Sequence, residues 1–190
     1  MIGRIFLGHP KNFAVVVPGL LYRSGVVSPR SLRALHKRLG IKTIVDLGAT
    51  TLLPAREAAI QAAANALGLD RYALRLKGTG EGDPNEYVHA LRILARQDQG
   101  PILVHCAAGA QRTGACIIFF RHLIERKPLD EAFAEAQSFG YHPRKDAALH
   151  AYVMRWHTAI ADAIANGHTI AYEGPTARQD NRTPIDQLPR

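Results

Sequence analysis

The stretch Pro101-Ile102-Leu103-Val104-His105-Cys106-Ala107-Ala108-Gly109-Ala110-Gln111-Arg112-Thr113-Gly114 changes character at its middle. Its first part, Pro101 to Val104, is short and wholly apolar, the composition of a strand covered on both faces. Beyond it, Thr113 to Arg126 reads as a helix in which Ile117, Ile118, Phe119 and Phe120 leave no polar face for a whole turn, so that helix is central and buried. A buried strand that feeds a buried helix through a tight loop points to an α/β sheet flanked by helices. Ligands of such sheets lie beyond the carboxyl ends of the strands, which is where the loop H-C-x-x-G-x-x-R-T-G falls.

Each position of that loop has a chemical reading. A cysteine at a helix N-terminus beside an arginine is in the setting that favours the thiolate, the nucleophilic form. Cys106 meets both conditions. The backbone N–H groups of Ala107, Ala108, Gly109, Ala110, Gln111 and Arg112 precede the helix and can curl round a tetrahedral anion as a nest, aided by the helix dipole. Gly109 permits a positive φ or a close approach, and Gly114 is expected to let the first helical turn pack tightly. Arg112 offers a planar fork of donors that matches two phosphate oxygens, as a lysine cannot. Thr113 is placed to hydrogen-bond the sulfur. The loop lacks the G-x-x-x-x-G-K-[ST] pattern of nucleotide-binding loops. At about 5% usage per residue type, the pattern arises by chance in on the order of one chain in 10⁵.

Outward from the loop, segments of two periods alternate. Ala14 to Val17 and Leu20 to Tyr22, split by Pro18-Gly19, predict an edge hairpin. Ser28 as cap and Pro29 at the first helical position open a helix that closes at Gly40. Ile41 to Leu47 is a predicted strand, Ala55 to Leu67 a helix stopped by Gly68, and Tyr72 to Leu76 a strand. Lys77 to Gly82 is a glycine-rich loop. Asp83-Pro84-Asn85-Glu86 has the form of a capping box opening a helix to about Gln97. Leu129 to Ser138 and Lys145 to Ala165 supply two more helices. Residues 1–166 are expected to form one domain with a central, mostly parallel sheet. Residues 167–190, polar and carrying Pro175, Pro184 and Pro189, are expected to form a tail.

The 190 residues hold 24 Lys and Arg against 16 Asp and Glu, a net charge of +8 that suits an anionic ligand. Two cysteines are too few for a disulfide scaffold, which favours a reducing compartment. Met1 to Gly8 is cut short by His9-Pro10-Lys11-Asn12, and Phe13 to Tyr22 falls short of a membrane span, so a cytoplasmic protein with no membrane partner is expected. A single Trp and the absence of aromatics interleaved with basic clusters speak against nucleic acid.

The ten residues 105–114 match in full the signature of the cysteine-dependent protein phosphatases. Leu21-Tyr22-Arg23-Ser24-Gly25, Ile44-Val45-Asp46-Leu47 and Phe139-Gly140 extend the resemblance, over roughly residues 13 to 155, to the bacterial and fungal atypical dual-specificity group. The resemblance implies a protein tyrosine phosphatase-like fold, a phosphocysteine intermediate on Cys106, a phosphorylated protein substrate, and no metal or cofactor. It also implies an acid on an upstream loop. The family's W-P-D arrangement is absent, and Asp83 is the choice, swinging on Gly80 and Gly82, with Glu81 as the alternative and simple helix capping as the other reading of Asp83.

The remaining candidates have structural readings. His105 supports the loop through hydrogen bonds, Cys116 is a buried thiol, Arg23 and Asp46 form an ion pair, and Tyr152, Trp156 and Ile160 are core. Gln111 is placed to orient water. Ala107, Ala108, Ala110 and Gln111 carry no charge, which favours a monophosphate over an inositol polyphosphate, although Arg75 and Lys77 are near enough in sequence to reach the rim. A phosphate-binding module without turnover is the third reading.

Overall fold

The computed structural model describes residues 10–50, 52–96, 98 and 100–174. Its five strands are β1 (Ala14–Val17), β2 (Leu21–Ser24), β3 (Thr43–Asp46), β4 (Asp70–Ala73) and β5 (Ile102–His105). They form one sheet in the order β1-β2-β5-β3-β4, antiparallel only at the β1–β2 hairpin. The helices are α1 (Pro29–Leu39), α2 (Pro54–Ala66), α3 (Pro84–Leu94), α4 (Gln111–Phe119), α5 (Leu129–Gln137) and α6 (Ala147–Asn166), and a π-helical turn, Phe120–Ile124, continues α4.

β5 lies between β2 and β3, and its side chains divide between two cores. Ile102 and Val104 join the larger core with α3 to α6, while Leu103 joins Leu32, Leu35, Ile60 and Ala64 of α1 and α2. That division is the reason the strand is apolar from Ile102 to Val104, ahead of His105 at its end. The α1 boundaries follow their caps: Ser28 exchanges hydrogen bonds with Ser31, and Gly40 ends the helix at φ 67°.

Two expectations move. The strand expected over Tyr72 to Leu76 is β4, Asp70–Ala73. It pairs in register with Thr43–Asp46, while Leu74 and Leu76 are buried as the chain leaves the sheet. The capping box at Asp83 forms only in part. Asp83 caps α3 by accepting from the N–H of Asn85 at 2.9 Å, but the carboxylate of Glu86 accepts from the N–H of Arg75 at 3.3 Å. Of the expected tail, residues 167–174 lead back across α3, where Ile170 and Asn85 hold each other through two hydrogen bonds of 2.8 and 2.9 Å. The rest, 175–190, lies outside the described residues. Among the described residues no helix is long and apolar enough to cross a membrane.

Candidate active site

The parallel strands end level with one another. Ser24, His105 and Asp46 form one row across β2, β5 and β3, and Ala73 continues it on β4. The loop 106–110 leaves β5 at this edge and opens α4, so the N-terminal peptide groups of the helix face the same space.

Three consecutive carbonyls of the loop are tied outward. That of Ala107 accepts from the N–H of Val26 at 3.0 Å, that of Ala108 from Nδ2 of Asn12 at 3.0 Å, and that of Gly109 from Nη2 of Arg23 at 2.5 Å. Asn12 bonds the carbonyl of Phe139 as well, at 3.0 Å. Gly109 needs both freedoms that glycine gives: its φ is +69°, and a Cβ there would come within 2.6 Å of the nitrogen of Gly25. Gly114 has no such need, because a Cβ at that position would meet nothing within 4 Å outside its own helix.

Cys106 is 2% exposed, and its Sγ accepts from the N–H of Gly109 at 3.2 Å. The hydroxyl of Thr113, expected on the sulfur, is buried without a hydrogen-bond partner among the described residues. Arg112 turns back from the first turn of α4 and donates through Nη1 to the carbonyls of Leu47, at 3.1 Å, and Gly48. Its Nε has no protein partner among the described residues. The carbonyls after β3 thus orient the fork at the mouth of the loop. Gln111 reaches Asp146 at 3.4 Å. Cys116 fits its expectation of a buried thiol: burial pushes its pKa up to about 12, where it stays protonated.

The expected Arg23–Asp46 pair does not form. Asp46 is paired with Arg71 of β4 at 2.7 Å and accepts from the N–H of Ala49 at 2.7 Å. Burial raises its pKa, but His105, Ala49 and Arg71 outweigh burial and hold it below the usual carboxylate range. Arg71 also grips Glu57 at 2.6 Å. This ionic cluster braces the β3–α2 turn, the turn that presents Leu47 and Gly48 to Arg112. His105 packs over the same group, with Nε2 3.9 Å from Asp46, and neither ring nitrogen has a hydrogen-bond partner among the described residues. The contact from His105 to the loop is with the backbone of Cys106, which together with Asp46 favours its protonated form. Burial, partly offset by Asp46, lowers its pKa.

Arg23 lies instead under the loop, fully buried, with its guanidinium 3.9 Å from the ring centre of Phe139. Burial lowers its pKa to about 10, against the opposing pull of Glu135 and both cysteines, so it remains a cation at neutral pH. The sequence shows Arg23 and Phe139 only as parts of separate motifs. Asn12 and Arg71 carry no sequence signal at all, since their roles depend on chain segments far from them.

The loop 77–82 borders the site at Gln111. A Cβ on Gly80 would lie 3.3 Å from the backbone of Gln111 and 2.8 Å from Leu149, and the carbonyl of Gly80 accepts from the hydroxyl of Tyr87 at 2.5 Å. Gly80 is thus a packed and anchored position, not a free hinge. Asp83 follows this loop, with Oδ1 accepting both the N–H and Nδ2 of Asn85, at 2.9 and 2.7 Å. On the same loop a cavity of about 490 Å³ opens, lined by Lys77, Glu81, Tyr152, Arg155, Trp156 and Tyr172 among others. No group of three or more metal-ligating side chains occurs among the described residues.

A buried thiol beneath a strand-to-helix loop, on a mostly parallel sheet of this order, is the arrangement of the protein tyrosine phosphatase-like fold. Over residues 7–171 the chain matches the model of the tyrosine phosphatase family, and it belongs to that family. It is 32% identical over 139 residues to the inositol diphosphatase SIW14 of Saccharomyces cerevisiae, covering 70% of this chain and 46% of that one. It is also 32% identical over 127 residues to the dual specificity protein phosphatase TpbA of Pseudomonas aeruginosa, covering 66% and 54%. The chain thus spans about half the length of these two relatives. The crystal structure of TpbA superposes with a TM-score of 0.66 at 27% identity, over 82% of this chain and 92% of that one, and TpbA has also been crystallised in complex with phosphotyrosine.

Proposed function

We propose that the protein hydrolyses phosphate monoesters on protein side chains, phosphotyrosine foremost, through a phosphocysteine intermediate. The observation that carries this reading is the seat of Cys106: a sulfur under a loop whose carbonyls are tied outward and whose lining side chains, Ala107, Ala108 and Ala110, are small and uncharged. A polyphosphate would need several cations in that lining, whereas a single phosphoryl group needs only Arg112 and the backbone donors.

In the first step the thiolate of Cys106 attacks phosphorus, the P–O ester bond breaks, and the departing oxygen takes a proton from Asp83. Arg112 and the N–H groups of residues 107–112 hold the equatorial oxygens as their charge grows. Asp83 is suited to the exchange because Oδ1 takes both bonds from Asn85 and leaves Oδ2 for the proton. In the second step a water oriented by Gln111 attacks phosphorus, its proton passes to Asp83, and the P–S bond breaks. The N–H of Gly109, already on the sulfur, stabilises the returning thiolate, and the hydroxyl of Thr113, without a partner among the described residues in the resting site, is free to join it there. No cofactor or metal enters this scheme. The cytoplasm, a reducing compartment, suits a reactive thiolate.

A second reading, an inositol phosphate phosphatase, draws support from Lys77 and Arg155 in the neighbouring cavity and from the yeast relative. Glu81 and Glu173 line the same cavity and oppose a polyanion there. Release of phosphate from a phosphotyrosyl peptide, a phosphoseryl peptide and an inositol pyrophosphate, each compared with Cys106→Ser, tests the choice. The first reading expects kcat/KM to be highest on the phosphotyrosyl peptide, and a higher value on the inositol pyrophosphate would replace it with the second. Wild-type turnover no greater than that of Cys106→Ser on all three would favour a phosphate-binding module.

A further inference from the structure

A trans peptide is planar, and its C=O and N–H point in opposite directions. Tying a carbonyl outward therefore aims the N–H of the next residue inward. The three outward ties of the loop, at Ala107, Ala108 and Gly109, accordingly aim the N–H groups of Ala108, Gly109 and Ala110. One of these can be checked directly: Asn12 holds the carbonyl of Ala108, and the N–H of Gly109 in the same peptide points at the sulfur of Cys106, 3.2 Å away. Val26 supplies its tie from the backbone. The other two come from side chains, Asn12 and Arg23.

We infer that Arg23 and Asn12 are positioning residues of the phosphate site, holding two peptide planes so that the N–H groups of Ala110 and Gly109 face the bound anion. This rests on the reading of the loop as a phosphate cradle. Arg23 is poorly explained as a stabiliser of the fold. It is fully buried, it makes one hydrogen bond at 2.5 Å and one ring contact, and its Nε and Nη1 have no partner among the described residues. Desolvating a cation with donors left unmade is costly, and apolar replacements of buried ions are often neutral or stabilising. Its one hydrogen bond goes to the loop, on the peptide that carries the N–H of Ala110. Asn12 holds its own backbone at φ 54°, a conformation open to asparagine and glycine, so Asn12→Gly removes the side chain while keeping the turn.

The experiment measures tungstate affinity by calorimetry, p-nitrophenyl phosphate turnover and thermal midpoint for wild type, Arg23→Met, Arg23→Lys and Asn12→Gly. Loss of a charged hydrogen bond that aims a donor should weaken tungstate binding by about 10- to 100-fold in Arg23→Met, without lowering the thermal midpoint. Arg23→Lys should recover part of that loss. Asn12→Gly, which removes a neutral donor, should weaken binding several-fold. Tungstate binding as tight as wild type in folded Arg23→Met overturns the inference, and if that variant does not fold, the same result in Asn12→Gly overturns it. The hydrolytic reading fails separately, if wild type turns over no faster than Cys106→Ser.

Discussion

Arg112 spends one nitrogen, Nη1, on two protein carbonyls, and in the proposed mechanism the rest of its fork holds the anion. A lysine has a single nitrogen for both tasks. Arg112→Lys should therefore lower kcat/KM by orders of magnitude, and turnover near wild type would remove the bidentate role. Gly109→Ala must place a Cβ 2.6 Å from Gly25 in a left-handed backbone, so chemical denaturation should show a loss greater than the ~1–2 kcal/mol of the backbone strain alone. For Asp83→Asn, kcat should fall mainly with poor leaving groups such as alkyl phosphates. An equal fall with p-nitrophenyl phosphate would leave Asp83 with the capping role already seen on α3. At this scale the placement of Cys106 and Arg112 on one strand-to-helix loop was legible because both lie within one short motif. Asn12 was not: in the sequence it is one of four residues that interrupt an apolar run, and only folding brings it to Ala108, 96 positions away.

The ends of β3 and β5 carry two buried titratable groups with different consequences for stability. Burial disfavours the charged form of His105, so the unfolded chain takes up that proton first. Stability from His105 is complete above the ordinary imidazole pKa of about 6.5 and falls as pH drops below it. Asp46 is held below its usual range, so its contribution is complete above about 4 and is lost on further acidification. Urea midpoints measured from pH 8 to 3 should show both declines, and His105→Asn should flatten the one just below about 6.5 and reduce the lower one to what Ala49 and Arg71 still hold. Asp46→Asn should cost roughly 3 kcal/mol at neutral pH by stranding part of the Arg71 charge. The elements themselves were largely readable. α1 has both caps written locally, and β5 is apolar up to His105 at its end. β4 was displaced because its register is set by pairing with β3 and by Arg71 reaching Asp46, while the apolar alternation that suggested Tyr72 to Leu76 continues beyond the sheet.

The whole chain carries +8, yet the lining of the cradle contributes only Arg112 to that excess. For the proposed anionic substrate, that surplus is a field acting at a distance, which favours its approach to the protein. Raising ionic strength should accordingly lower kcat/KM for a phosphopeptide while leaving kcat nearly unchanged, since the screening length shortens but the contacts within the site persist. Overall architecture was legible because alternating strands and helices permit few arrangements, and the motif located the site on it. The support behind the loop was hidden, because it is assembled from the first hairpin, β3, β4 and the α5–α6 connection, and no spacing in the chain links them. The nucleophile is the group on which the proposed activity depends most directly. Acid-quenched Gln111→Ala, mixed with a phosphotyrosyl peptide and digested for mass spectrometry, should carry a phosphoryl group on the peptide containing Cys106. A modification elsewhere, or none while Cys106→Ser retains wild-type turnover, would contradict it.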